Sequence, residues 1–284
     1  TNYLQALGRV AEAEGEGAIW RDLRQKLWAD PDTLRARYRA SPAWLRALMD
    51  AWADGLNYWM HVHPEVQPRV LTRFEPWMPL AFSEGSIGGD VERIDLRALE
   101  AFYGKQGAAG GASSSGAAGG AAGAPDAPAD EAPLDPEPRG SNGIAIAPQN
   151  TVNGRALLLI NPHTSFFFRS EQQVTSDEGL NAYGAATWGQ FFLYQGFNAR
   201  VGWMHTTSGA DVVDEFAETV AQRGDRAFYR VGGAERPMAT RRITVPYRTP
   251  DGMASRTFTV YRTHHGPIVR EADGKWIAVA LMQK

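Results

Sequence analysis

The pair Gly140-Ser141 stands where a long run of Gly, Ala, Ser and Pro gives way to sequence of ordinary composition, and it carries the clearest chemistry in the chain. Hydrolysing an amide needs a nucleophile, a base and donors for the oxyanion. In a serine-histidine-aspartate triad the base is an imidazole, and the elbow form of that site needs Gly-x-Ser-x-Gly on a strand-to-helix turn. Neither Gly140-Ser141-Asn142-Gly143 nor Thr207-Ser208-Gly209 has this spacing. The other arrangement is a serine whose own α-amino group is the base. Such an amine has an unperturbed pKa of about 7.7–8.0, close enough to neutrality to take the hydroxyl proton directly or through a water. It exists only if the chain begins at the serine, so this reading requires the Gly140–Ser141 bond to be cut. Glycine before the serine tolerates the strained backbone that attack by Ser141 Oγ on the preceding carbonyl would demand.

The elements that must position this serine fall into three parts. Residues 1–103 read as helical. Ser41-Pro42-Ala43-Trp44 predicts a capped helix start with proline at the first helical position, followed by Leu45, Leu48, Met49, Trp52, Leu56 and Trp59 at helical spacing, an apolar face that must be covered. Asp30-Pro31-Asp32 opens a second helix in the same way, and Glu75-Pro76-Trp77-Met78-Pro79 reads as an irregular turn. Residues 104–140 cannot bury enough apolar surface to offset their ordering entropy and read as a disordered spacer. From Ser141 to Lys284 the pattern changes to strands. Gly143 to Ala147 and Arg155 to Ile160 are joined through Asn153-Gly154, a strong hairpin signal, and further turns are marked by Asn198, Gly232-Gly233 and Asp251-Gly252.

Composition narrows the classes. The 284 residues suffice for about two domains, and 43% hydrophobic with 21% charged residues is a normal globular mixture. A net charge of -3 without any basic block excludes the electrostatic footprint of a nucleic-acid binder, and Arg241-Arg242 reads as a solvated face. No cysteine is present, which removes disulfides, thiolate metal sites and cysteine nucleophiles together. No apolar run reaches the ~20 residues of a membrane helix, so membrane insertion is not expected. Thr1 enters directly on a helical pattern and Ala278 to Met282 runs strand-like into the end, so the chain is expected to be a piece of a longer one.

Six short motifs then occur in order: Gly140-Ser141-Asn142; Leu159-Ile160-Asn161-Pro162-His163; Gly196-Phe197-Asn198; Gly202-Trp203-Met204-His205-Thr206-Thr207; Asp211-Val212-Val213-Asp214-Glu215-Phe216; and His265-Gly266-Pro267. Together they resemble the penicillin acylase family of N-terminal nucleophile hydrolases, and the resemblance extends over essentially the whole chain. It implies an α+β fold with an αββα core, of which this chain holds part, preceded by a helical α-chain portion. Residues 1–103 resemble the end of the family's α chain, 104–140 its excised spacer and 141–284 the start of its β chain. The resemblance further implies self-cleavage between Gly140 and Ser141, an α/β heterodimer, a periplasmic or secreted location, and hydrolysis of a small N-acyl substrate such as a β-lactam, an acyl-homoserine lactone or a lipopeptide. Carried over by position, Ser141 is nucleophile and base, His163 lies beside the serine amine, and Thr207 supplies a backbone oxyanion donor. No catalytic cofactor is implied. A structural calcium is, with Asp211, Asp214, the Val213 carbonyl and Glu92 as its ligands, and hard oxygen donors suit that ion.

Two departures matter. An asparagine and an arginine that complete the family's oxyanion site fall beyond Lys284, and Thr164 stands where many relatives carry an aromatic residue. Loss of one oxyanion donor commonly costs about 10²–10³ in rate. Phe166, Phe167, Phe168 and Trp188 are candidates to line an acyl pocket, with core packing as the competing role. His61, His63, His264 and His265 lack accompanying ligands at metal spacing and read as structural, and His205 reads as a packed core residue. Two other outcomes stay open at this level: a noncatalytic binding or scaffold protein with a flexible linker, and a truncated, inactive acylase.

Overall fold

The computed structural model describes residues 2–82, 91–104, 140–163, 169–206, 213–224 and 226–281, so the spacer expected over 104–140 lies outside it except at its two ends. Among the described residues six α-helices precede the strands: α1 (Asn2–Leu7), α2 (Ala11–Glu14), α3 (Ile19–Lys26), α4 (Pro31–Ala40), α5 (Ala43–Val62) and α6 (Leu96–Tyr103). Asp30 caps α4 as its sequence predicts, accepting from the Thr33 main chain at 3.1 Å, with Pro31 at the first helical position. Ser41 does not cap α5. Its hydroxyl turns back to donate to Arg37 O at 2.9 Å, so it closes α4, and Pro42 with an extended backbone opens α5. Asp95 caps α6 through the main-chain N–H groups of Arg97 and Ala98.

The strands form five sheets among the described residues, and every pair is antiparallel. Strands β1 (Gly140–Ile146) and β2 (Leu157–His163) form one hairpin. Strands β3 (Arg169–Thr175), β4 (Asn181–Thr187), β5 (Gln195–Asn198) and β6 (Gly202–Trp203) form a meander. Strand β7 (Val213–Glu218) joins β13 (Ile268–Ala272) and β14 (Lys275–Leu281) in the order β13-β14-β7. Strands β8 (Val220–Arg223), β9 (Arg226–Val231) and β10 (Ala234–Pro237) follow one another, and β11 (Ala239–Thr249) pairs with β12 (Gly252–Arg262) along its whole length. The Gly232-Gly233 and Asp251-Gly252 turns fall where composition puts them, with glycine φ values of 55°, 84° and 130°.

The helical and strand-rich parts share one core. Leu23 and Ile19 of α3 and Leu99 and Tyr103 of α6 pack with Val245, Phe258 and Val279 from the strands. The buried Tyr103 hydroxyl donates to Ile268 O at 2.7 Å. Arg241, expected on a solvated face, instead donates to Lys26 O and pairs with Asp30, both at 2.5 Å, because β11 runs alongside α3. At the other end Tyr3 OH donates to Gly189 O at 2.7 Å and Gln190 Nε2 to Pro79 O at 3.2 Å.

Within the helical part, the Asp22 carboxylate is 1% exposed and accepts from Val10 N at 2.9 Å and Ala11 N at 2.7 Å, fixing the start of α2. Burial pushes its pKa up from 3.8 to about 6, against the pull of those two N–H groups and of Lys26 and Arg21. The apolar face of α5 is only partly covered: Met49 and Ala53 are buried, whereas Trp44, Leu48, Trp59 and Val62 are exposed among the described residues. No helix among them is long and apolar enough to cross a membrane.

Candidate active site

Ser141 sits at the start of β1, and the antiparallel register fixes its neighbours. Gly140 faces His163, Ser141 faces Pro162 and Asn142 faces Asn161. The hairpin that sets this register differs from a tight Asn-Gly turn. Its connection spans 147–156, with a 3-10 turn at Pro148–Asn150 and the Thr151 hydroxyl placed between two acceptors, Pro148 O at 2.9 Å and Arg155 O at 2.8 Å, to either of which its one hydrogen can be donated. Asn153 and Gly154 serve only the return of that loop, where the Asn153 side chain accepts from Arg155 N and Gly154 takes φ 65°. Strand β2 therefore begins at Leu157.

The Ser141 hydroxyl donates to the carbonyl oxygen of Gly140 at 2.5 Å, which sets its oxygen against the peptide group that joins the two residues. On its other side the Ser141 carbonyl accepts from the Thr206 hydroxyl at 2.9 Å. Gly140 takes φ 156°, a value side chains other than glycine avoid, and a Cβ built there would lie 3.7 Å from His163 Nδ1. Space is therefore available, and the dihedral rather than crowding selects glycine. His163 Nε2 lies 2.9 Å from Asn161 Oδ1 and 3.2 Å from Asn142 Nδ2. One ring nitrogen cannot donate and accept at once; in the tautomer protonated on Nε2 it donates to Asn161 Oδ1, and the lone pair is then on Nδ1, the nitrogen beside Gly140.

An open cleft of about 670 Å³ runs along this hairpin. Ser141, Asn142, Asn161 and Thr206 supply its polar lining, and Ile144 and Leu159, 56% and 49% exposed, supply apolar walls. Ser141 and His163 are half-buried, so the Ser141 hydroxyl is reachable from solvent. Gly143 and Gly202 admit close neighbours: a Cβ at Gly143 would meet Met204 Sδ at 1.9 Å and one at Gly202 would meet Leu158 Cδ2 at 2.2 Å. The bare backbone at these two positions lets the 202–206 segment lie against the hairpin and present Thr206 to Ser141.

The other candidate residues fall as follows. Thr207, Asp211, Phe166, Phe167 and Phe168 lie outside the described residues. Trp188 is exposed and its carbonyl accepts from Asn2 Nδ2 at 3.1 Å, at the contact with α1 and apart from the lining of the cleft. Val213 and Asp214 begin β7, paired with Leu281 and Ala280, and Asp214 is exposed. Glu92 lies in a 3-10 turn, with its carbonyl accepting from Arg24 at 3.2 Å. His205 is exposed among the described residues, its ring 4.5 Å from that of Tyr194, because β6 ends at Trp203 and the chain beyond runs along the surface.

Three polar side chains of the cleft carry no role in the sequence alone: Asn142, Asn161 and Thr206. The first two were within reach of it, since any antiparallel hairpin that sets Gly140 against His163 also sets 142 against 161. Thr206 was not, because its contact with Ser141 spans 65 positions and depends on how the meander folds back.

The penicillin amidase family model matches residues 1–283. The acyl-homoserine lactone acylase QuiP of Pseudomonas fluorescens is 30% identical over 136 residues, 48% of this chain and 16% of that protein. The acyl-homoserine lactone acylase PvdQ of the same species is 33% identical over 138 residues, 46% and 17% of the two chains. Aculeacin-A acylase of Actinoplanes utahensis is 34% identical over 134 residues, 45% and 16%. The match thus spans about a sixth of the length of these curated relatives. The solved thermostable penicillin G acylase from Alcaligenes faecalis superposes with a TM-score of 0.34 at 23% identity, over 41% of this chain and 20% of that one.

Proposed function

Because the chain belongs to the penicillin amidase family, we propose that it is the precursor form of an amide hydrolase whose nucleophile, Ser141, is released by cleavage of the Gly140–Ser141 bond. The observation that carries this reading is the Ser141 hydroxyl resting on the Gly140 carbonyl, at the mouth of an open cleft. Attack of Oγ on the Gly140 carbonyl carbon forms a C–O bond and breaks the C–N bond. The hydroxyl proton passes to the departing nitrogen, which becomes the free amine of Ser141. Water then hydrolyses the resulting ester, leaving a carboxylate on Gly140 and restoring the hydroxyl.

In turnover the freed amine takes the Oγ proton as Oγ attacks an acyl carbonyl. The substrate's amine leaves with a proton, and water deacylates the serine. His163, through its Nδ1 lone pair, orients the new amine, and Asn161 holds the ring in that tautomer. Thr206 anchors the Ser141 main chain while the bond before it is broken. A backbone donor at Thr207 serves the oxyanion.

The substrate class is a linear N-acyl amide, supported by the acylase names of the relatives and by the apolar walls at Ile144 and Leu159. The two products of cleavage stay together as an α/β heterodimer, contributing to an αββα arrangement outside the cytoplasm. A structural calcium would be held by Asp211, the Val213 carbonyl and Asp214 with Glu92; the exposed Asp214 carboxylate and a main-chain carbonyl suit such an ion chemically.

The test is intact mass and N-terminal sequencing of the wild-type protein and of Ser141→Ala, with hydrolysis of an N-acyl amide measured on the same samples. A new terminus at Ser141, absent in the alanine variant, is the expected result. A wild-type chain that stays whole, or is cut elsewhere, identical in length and activity to Ser141→Ala, makes residues 104–140 a plain linker and removes the proposal.

A further inference from the structure

We propose that Glu218, His264 and His265 form a binding site for a divalent transition-metal ion of the zinc class, with a coordination position left open to water. Each of the three offers one ligand atom, and these atoms all lie within 4.8 Å of one another. Glu218 ends β7, whereas the two histidines lie in the connection between β12 and β13, so the site joins segments that are distant in sequence.

Half of the site is rigid. The Glu218 side chain is 6% exposed, and its Oε1 lies 2.9 Å from His265 Nδ1. The His265 ring is stacked on Phe216 at 3.7 Å between centroids and 2° between planes, which holds the imidazole facing the carboxylate. A main-chain bond from His265 N to Thr263 Oγ1 and the pairing of Trp276 with Glu218 fix the two backbones. The other half is adjustable. His264 is exposed, its ring 3.8 Å from that of His265, and Tyr229 OH lies 3.1 Å from its Nδ1 and so orients the ring.

Zinc binds imidazole nitrogen and carboxylate oxygen at about 2.0–2.2 Å, which puts ligand atoms roughly 3.3 Å apart around a tetrahedral centre. Glu218 and His265 already approach that spacing. Rotation of the exposed His264 ring closes the rest. The ion takes the place of the hydrogen between Glu218 Oε1 and His265 Nδ1, with the ring proton of His265 carried on Nε2. A donor set with two imidazoles favours zinc, cobalt, nickel or copper over calcium and magnesium, which require oxygen ligands. The site is built from other residues than the proposed calcium ligands and does not depend on cleavage at Ser141.

The experiment titrates the chelator-stripped protein with Co²⁺, reading its visible d–d absorption, and then displaces it with Zn²⁺. The expected result is one Co²⁺ per chain, displaced by Zn²⁺ and untouched by excess Ca²⁺. His264→Ala, at an exposed position that leaves the fold intact, weakens binding at least about tenfold, as does Glu218→Gln. A double variant at the remote pair, His61→Ala with His63→Ala, binds as the wild type does. Absence of the absorption band, binding undiminished in His264→Ala, or displacement by Ca²⁺ would each overturn the proposal.

Discussion

Replacing Gly266 by alanine tests whether the His265-Gly266-Pro267 motif is dictated by packing. A Cβ at Gly266 would lie 1.8 Å from Val279 O and 2.6 Å from Val279 C, both main-chain atoms. To reach ordinary contact the carbonyl would have to retreat by roughly 1.5 Å. It has nowhere to go, since Val279 is wholly buried and β14 is held on one side by β13 and on the other by β7. The displacement also opens two main-chain hydrogen bonds, Thr263 N to Gly266 O at 2.9 Å and Val279 N to Pro267 O at 3.0 Å. Overpacking costs about 1–3 kcal/mol and each lost bond about 1 kcal/mol, so the variant should lose roughly 3–5 kcal/mol, a large part of the ~5–15 kcal/mol available to a folded protein. Urea unfolding measures this directly, with Gly55→Ala as the opposing control. Gly55 lies within α5 with no atom within 4 Å of a built Cβ, so alanine there should gain about 0.5–1 kcal/mol. A loss below about 1 kcal/mol at Gly266, or the same sign at both positions, refutes the reasoning.

Removing the buried hydroxyl in Tyr103→Phe leaves Ile268 O without its donor and should cost about 1–3 kcal/mol in urea unfolding, whereas Tyr38→Phe, whose hydroxyl meets Asp50 near the surface, should stay within about 0.5 kcal/mol. The raised pKa of Asp22 makes its contribution fully present below about 3.8 and lost as pH rises through about 6. At about 1.36 kcal/mol per pH unit this amounts to roughly 3 kcal/mol, so the stability of Asp22→Asn relative to wild type should improve by about that amount between pH 3.5 and pH 7 (roughly the span of the two pKa values); a flat difference would refute it. Thr206→Val deletes the donor to Ser141 O and should slow appearance of the new Ser141 terminus roughly 2–10-fold, read by mass spectrometry over time, without abolishing it.

Local signals in the sequence carried the local structure. The aspartate-proline start of α4 and the glycine turns between strands each depend on residues a few positions apart, and each is where the sequence puts it. Ser41 shows the limit of such reasoning: a serine before a proline between two helices can serve either, and the preceding helix took it. Features that depend on strand order were hidden. Nothing near His264 in sequence announces Glu218, because the two meet only through the β13-β14-β7 arrangement. Arg241 likewise found Asp30 across more than two hundred positions, turning an apparent surface charge into a contact between helix and sheet. Of the candidate site, the pairing of Ser141 and His163 on one hairpin was legible from the strand pattern, whereas the hydroxyl of Thr206 needed the tertiary fold.

The core shared by α3, α6 and the strands has a consequence for what cleavage does to folding. While the chain is continuous, the spacer confines its two ends to one volume, and their docking is an intramolecular event with a high effective concentration. If the chain is cut as proposed, the same buried surfaces would hold the pieces together, yet once separated they would have to find each other by diffusion, and the stability of the assembly would depend on how dilute it is. Cleavage of the bond between Gly140 and Ser141, as proposed, would then leave a record of history: a protein assembled as one molecule would persist as two, in a state that its parts reach less readily when mixed afresh.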